Sequence, residues 1–459
     1  MKTILINVFN TAVAKNIFMP DFLCALSERE DVRCVVAAPA SKVEEWKRDW
    51  ASPRLEFVAR QQQYASSAEN IVLFLARNMI PTWTVRQIQE EGLDGSGRLS
   101  PFPKYLLARL AWLFGHASLM RAFLKHVSMP FFDDSVFAEI LDAYKPSLVF
   151  ATTTYAVDDV RLLKAAKKRG IRTLGMIKSW DNLTSKDMLL APPDQLVVHN
   201  SAVADEAMRF HGYRKDEIAI VGVPQFDWYA DPSLIEPREA FFARLGLDLQ
   251  KTLITYNAMG RWLVPHERDI IATLYEIVTS GSLAYPAQLL VRMHPAYPDD
   301  ESELRLLFPG IVVDEPGSPV KDSEASWKAD WKFSIDDIRH LASTLAYSAV
   351  TINCGSTTII DAACLDAPVI GIAFDGEAVE PSYWLGARRL FDREHCKKAV
   401  ETGGVLVAYD KDSLKSAINS YLADRSLGSD GRKRLVAQQA GEIGHASERL
   451  ARALLKTLQ

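Results

Sequence analysis

The stretch TINCGSTTIIDAACLDAPVIGIAFDG, Thr351–Gly376, holds a strand, a turn, a helix and a second strand, and its reading decides the fold. The run Val350 to Asn353 is of strand length and stops at Cys354-Gly355-Ser356-Thr357-Thr358; a helix-forming segment follows, and Val369 to Ile372 supplies the next strand. Apolar runs without polar alternation, joined through a helix, fit a parallel sheet covered on both faces. A glycine and hydroxyl turn between strand and helix presents backbone N–H groups at the positive end of a helix dipole, which suits phosphate. Gly355 lets the backbone approach closely, and Ser356, Thr357 or Thr358 supplies a cap and a hydroxyl. A cap that serves only the helix produces the same residues, so both readings stand at this point.

The pattern recurs along the chain. Ile4 to Phe9, Arg33 to Ala37, Leu55 to Val58, Leu148 to Ala151, Thr173 to Ile177, Leu196 to Val198 and Ile218 to Val221 read as one set of strands. A proline cluster at Pro224, Pro232 and Pro237 interrupts it and marks a domain junction. A second set follows at Thr252 to Asn257, Gln288 to Met293, Ile311 to Val313, Val350 to Asn353, Val369 to Ile372 and Val405 to Ala408. The expectation is an α/β chain of two doubly wound, Rossmann-like domains facing a cleft. Residues 1–230 form the N-terminal acceptor-binding domain with a helical insertion over about 61–144, residues 231–430 the donor-binding domain, and residues 431–459 one C-terminal helix.

At 459 residues the chain is too long for one core, which stops growing near roughly 250–300 residues. A net charge of −5 supplies no basic footprint, so nucleic acid is not expected as a partner. Five cysteines without a CxxC argue against a disulfide framework and a zinc site, and fit a reducing cytoplasm. Asp410-Lys411-Asp412 is the only DxD, and Asp412 reads as a helix cap, so no metal is expected.

Residues expected to carry chemistry lie just past strands. In Arg292-Met293-His294-Pro295 the proline forces an extended backbone that projects His294 from the sheet, with Arg292 two residues back on the same side. Gly260 and Arg261 follow the first strand of the second set, where a guanidinium can pair with phosphate oxygens. In the first domain Lys178, Trp180, Asp181 and Asn182 follow one strand, and Asn10, Lys15 and Asn16 follow another. An Asp at that edge can take a proton from an acceptor hydroxyl, or simply cap a turn. The segment KYLLARLAWLFGHASLMRAFLKHV, Lys104–Val127, is a basic amphipathic pattern that suits either packing on the N-terminal domain or an anionic membrane surface.

The order of these turns resembles a GT-B glycosyltransferase of bacterial surface-polysaccharide synthesis, in particular the CDP-glycerol glycerophosphotransferase and capsule-transferase kind. The resemblance rests on IVGVPQFD (Ile220–Asp227), similar to a G-x-P-x-x-D junction, on RMHP (Arg292–Pro295), similar to an HP motif, and on NCGSTTIIDAACLDAPVIGIAFD, similar to a donor-phosphate turn with its helix and strand. It implies that His294 and Ser356 to Thr358 contact the donor phosphate or ribose, and that Asp361 lies early in the donor-site helix. Where that family carries a His-containing acceptor loop, this chain has Asp181. The implied activity is metal-independent transfer of a sugar from a CMP-, CDP- or UDP-linked donor, with no other cofactor, to a surface glycan or lipid-linked acceptor in the cytoplasm or at the inner face of its membrane. Polyol-phosphate transfer, a UDP-sugar 2-epimerase and a catalytically silent assembly protein are the competing readings.

Overall fold

Segments that are apolar on both faces become internal strands of two parallel sheets. The structure is a computed structural model that describes residues 1–9, 11–61, 63–94, 102–186, 188–295, 297–319, 331–332, 334–377 and 381–458. The chain divides into two units, Met1–Asp227 with Gly441–Gln459, and Trp228–Ala440.

In the first unit β1 (Lys2–Asn7), β2 (Val32–Pro39), β3 (Leu55–Arg60), β4 (Leu148–Ala151), β5 (Arg172–Met176), β6 (Gln195–Val198) and β7 (Ile218–Ile220) form one sheet in the order β3-β2-β1-β4-β5-β6-β7. Side chains alternate between two buried faces. Ile4 and Ile6 join an apolar cluster with Phe22 and Trp46, whereas Leu5 joins another with Phe137 and Leu162.

The second unit contains β8 (Thr252–Asn257), β9 (Ala287–Arg292), β10 (Val312–Asp314), a short antiparallel pair β11 (Ser318–Pro319) and β12 (Trp331–Lys332), then β13 (Val350–Asn353), β14 (Val369–Ile372) and β15 (Leu406–Ala408). Its parallel sheet runs β10-β9-β8-β13-β14-β15. Both sheets therefore reverse direction beside their first strand, between β1 and β4 and between β8 and β13. Loops leaving the two strands of such a pair part to opposite faces and open a crevice at the carboxyl edge. Ile352 stands opposite Tyr256, so the loops that begin at Asn257 and Asn353 leave that edge side by side.

The stretch between β3 and β4 contains the helices Ser67–Asn78, Trp83–Asp94, Phe102–Gly115, Ser118–Ser128 and Ala138–Tyr144. Glu69, in the first turn of the first of these, forms a capping box with Ser66 and accepts both arms of Arg161 at 2.8 and 2.7 Å. Asp158 joins Arg161 to Arg60, and the buried network ties this stretch to the helix Val157–Lys168.

The single C-terminal helix expected over residues 431–459 is two helices, Ser429–Gln439 and Ala446–Thr457. Gly441 and Gly444, at φ +76° and +99°, break it, a conformation that other L-residues rarely adopt. Leu450, Ala451 and Leu454 of the last helix join the cluster of Ile4 and Phe22, so the chain's end completes the first unit. The G-x-P-x-x-D stretch is the latch for that helix. Asp227 accepts the N–H groups of Gly444, Ala446 and Ser447 at 2.9, 2.9 and 2.8 Å and the Ser447 hydroxyl at 2.9 Å. At Gly222 a Cβ would stand 3.0 Å from both Ala446 Cβ and an Arg449 nitrogen.

Asp227→Ala removes the acceptor of these buried donors and should cost about 3 kcal/mol in urea unfolding. Amide exchange in Ala446–Thr457 should quicken with it; unchanged exchange there would contradict the latch.

Candidate functional site

The turn after β13 is built by the last residue of the strand. Asn353, fully buried, accepts the N–H of Gly355 and of Ser356 through its side-chain oxygen at 2.8 and 3.0 Å, and the Ser356 hydroxyl accepts the Thr358 N–H at 3.3 Å. Gly355 is required at φ +93°, where an added Cβ would lie 3.2 Å from Cys396 Sγ. Three amides expected to be open to phosphate are therefore used inside the turn. Thr357 at its tip is exposed, and the helix Thr358–Cys364 follows.

The loop after β8 is held in the same way by Glu267, a buried residue whose carboxylate accepts the N–H groups of Met259 and Gly260 at 2.6 and 2.9 Å and the Tyr256 hydroxyl at 3.1 Å. Gly260, at φ +84°, is needed because a Cβ there would come within 2.5 Å of Tyr297. Close packing against Tyr297 is what this position requires. Arg261 and Trp262, next in the chain, are exposed. Trp262 stacks on Tyr297 with ring centres 5.7 Å apart, and Tyr297 stacks on His294 at 5.1 Å, giving a row of three rings beyond the ends of β8 and β9. Burial holds the His294 imidazole below its usual pKa. The sequence reading named His294 but neither neighbour; two aromatics in turns just past strands were the available signal.

Arg292, expected at the donor site, is turned into the sheet edge. It is 7% exposed and paired with Asp314, its neighbour across the β9 and β10 ladder, and Asp314 also meets His340 Nε2 at 2.9 Å. Asp361 lies beside the Asn353–Thr358 turn on its helix and accepts the Tyr229 hydroxyl at 2.7 Å. Burial raises its pKa to about 6 against the pull of that hydroxyl and of the Arg292 charge, leaving a carboxyl that titrates close to neutrality.

Immediately past β14 and β15 lies a depression of about 570 Å³ whose walls include Asp375, Tyr383, Arg388, Tyr409 and Lys411. That volume suits a small organic ligand. Asp375 accepts the Ala387 N–H through both oxygens and fixes one wall, while Arg388 lies over the Tyr409 ring at 5.7 Å. In the DxD, Asp410 is the helix cap, accepting the Ser413 N–H at 2.7 Å, and Asp412 is not.

In the first unit Asn16 and Lys178 come together at the carboxyl edge, lining a cavity of about 10 Å³ with His199 and Gln225. Asn16 donates to Gln225 at 3.2 Å. His199, missed by the sequence reading, is held neutral by burial, its pKa lowered to about 4. Lys15 is half-buried on the same short helix, and Asn10 lies outside the described residues. The loop after β5 is otherwise turned inward. Trp180 is buried, and Asn182, also buried, accepts the Ser179 N–H at 3.0 Å, so neither is presented to an acceptor. Asp181 is not a wall of the cavity; its carboxylate meets Lys186 at 3.1 Å and accepts from Asn182 at 3.2 Å. A second missed group is Asp159, fully buried, which takes the Asn7 amide at 2.7 Å at the end of β1 and is pushed up to about 7 by burial.

No family model and no curated protein matches the chain. Solved structures do. The UDP-GlcNAc 2-epimerase of Neisseria meningitidis, bound to UDP-GlcNAc, is similar at TM-score 0.56 and 11% identity over 99% of this chain and 100% of that one. A glycosyltransferase from Rickettsia africae gives 0.52 and 12% over 99% of each chain, and the S. aureus MnaA–UDP structure 0.53 and 12% over 98% and 95%. At such identities the likeness establishes the fold, two parallel-sheet Rossmann-like domains of the GT-B type.

The Asp361 pair sets a pH signature. Its folded pKa, about 6, exceeds the ordinary carboxyl value near 3.9, so the folded state binds the proton more tightly and stability falls as pH rises through that interval, then levels. Tyr229→Phe removes a donor to the charged form and should cost about 2 kcal/mol at pH 8 and less at pH 4.5. An equal loss at both pH values would show that the hydroxyl does not serve the carboxylate.

Proposed function

We propose that the chain is an enzyme acting on a nucleotide-activated sugar, the nucleotide lying on the second unit, and that it transfers the glycosyl group to a hydroxyl of a surface glycan or lipid-linked acceptor. What supports this reading is the arrangement at the point where the second sheet reverses its strand order. The hydroxyl turn after β13 and the ring row after β8 and β9 both belong to that edge. The rings suit a base or ribose. The Thr357 hydroxyl and the exposed Arg261 suit phosphate oxygens, and fixed donors there stabilise charge that develops on a leaving phosphate. The donor is a CMP-, CDP- or UDP-linked sugar; the polyol-phosphate variant differs in the group carried.

On the first unit the corner of Asn16 and Lys178 is the place for an acceptor hydroxyl. Asp181, whose carboxylate meets Lys186 at 3.1 Å, is the group proposed to take the acceptor proton. The epimerase reading draws on a different observation. Asp361, titrating near 6, gives the second unit a carboxyl able to exchange a proton, and proteins of 2-epimerase description share this fold along nearly the whole chain.

Thermal shift with CMP, CDP, UDP, GDP and ADP tests the nucleotide site, because a ligand of the folded state raises apparent stability. One nucleotide should raise Tm, and Trp262→Ala and Thr357→Ala should each weaken that shift. No shift from any of them at saturation removes the sugar-nucleotide reading and leaves the assembly protein. Sugar-nucleotide turnover then separates the chemistries: release that requires an acceptor supports transfer, and acceptor-free isomerisation supports epimerisation.

A further inference from the structure

The helices Phe102–Gly115 and Ser118–Ser128 are built inside out. On the first, the buried positions are the small residues Ala108, Ala111 and Gly115, and a Cβ on Gly115 would strike the Met79 carbonyl oxygen at 2.1 Å. Most of the large side chains point away, while Trp112 and Leu124 pack inward. Phe102, Leu106, Leu113 and Phe114 are 53%, 50%, 57% and 54% exposed, and on the second helix Leu119 and Phe123 are 82% and 58% exposed. At 100° per residue the exposed apolar positions of the first helix sweep an arc of about 140°, the side that a helix of a globular protein makes polar.

Charge identifies what fits this face. From Phe102 to Phe132 there is no Asp or Glu, while Lys104, Arg109, Arg121 and Lys125 are cationic and His116 and His126 lie among them. The whole chain carries 58 acidic residues in 459, so roughly four would be usual in a segment of this size. The cations are held at fixed places. Arg109 stacks on Trp112 at 4.9 Å, Arg121 donates to the Gly115 carbonyl at the corner between the helices, and Lys125 donates to the His211 carbonyl at 3.0 Å. Lys104 is exposed over Phe74 at 5.5 Å.

We infer that this face docks in the plane of a lipid bilayer carrying anionic headgroups, its leucine and phenylalanine side chains at the acyl boundary and Lys104 and Arg109 at the phosphates. A second copy fits less well, since a two-fold contact sets a patch against itself and would bring these cations against their own kind. With 14 and 11 residues the helices are too short to span the roughly 20 residues a bilayer core takes, and among the described residues no helix is long and apolar enough to cross a membrane. The observation stands apart from the nucleotide site, so either conclusion can fail without the other.

Co-sedimentation of the full chain with vesicles of phosphatidylcholine alone, or mixed with phosphatidylglycerol, tests it. Binding to the anionic vesicles should exceed that to the neutral ones by about ten-fold or more and fall as salt rises. Leu119→Asp with Phe123→Asp should lose it at unchanged Tm, and Lys104→Glu should weaken binding to the anionic vesicles alone. Equal binding to both vesicle types would overturn the headgroup assignment. Absence of binding would overturn the bilayer, as would a dimer in sedimentation velocity that the Asp double variant dissociates without any vesicle binding by wild type.

Discussion

Every backbone N–H that leaves the carboxyl edge of a buried parallel sheet loses its ladder partner and must find another. This chain meets the constraint with buried carboxylates and amides. Glu267 takes Met259 and Gly260, Asn353 takes Gly355 and Ser356, and Asn182 takes Ser179, while Asp375 and Asp227 do the same for amides at helix starts, Ala387 and three of the C-terminal segment. Each of these loops has backbone amides tied to a buried side chain. Their fixed backbones then set where the neighbouring Thr357, Arg261 and Trp262 stand.

The same device explains what the sequence revealed and what it hid. The central strands of the two sheets are visible as apolar runs because helices cover both of their faces, whereas edge strands such as β3 and β7 keep exposed positions at Glu56 and Ile220. Residue type at a strand end does not say which way a side chain turns. Arg292 resembles a donor-site cation until Asp314 appears beside it on the adjoining strand, a pairing set by register between segments far apart in sequence. Asn182 is committed to its own turn, Trp180 is buried, and Asp181 pairs with Lys186. The break of the C-terminal helix was more accessible, since Gly441 and Gly444 stand three residues apart within it. Its return to the first unit was not, because Leu450 and Leu454 would fit any apolar core.

Stability and chemistry make different demands on buried acids here. Glu267 and Asp227 are ringed by donors and serve the backbone. Asp361 and Asp159 are raised by burial to about 6 and about 7, and each keeps a proton within reach of neutral pH. Such groups suit proton exchange, but a buried structural carboxyl behaves in the same way, and only Asp361 neighbours the hydroxyl turn. The exposed leucines and phenylalanines of the insertion answer to a third demand, contact with something apolar outside the chain.

The central claim is that the edge around β8 and β13 holds a nucleotide. Amide hydrogen exchange of the full chain with and without a nucleoside diphosphate tests it directly, because bound phosphate and stacked base slow opening of the backbone they touch. Slowed exchange at residues 257–264 and 353–361 is the predicted result. Slowing confined to the first unit, or none anywhere, would contradict it.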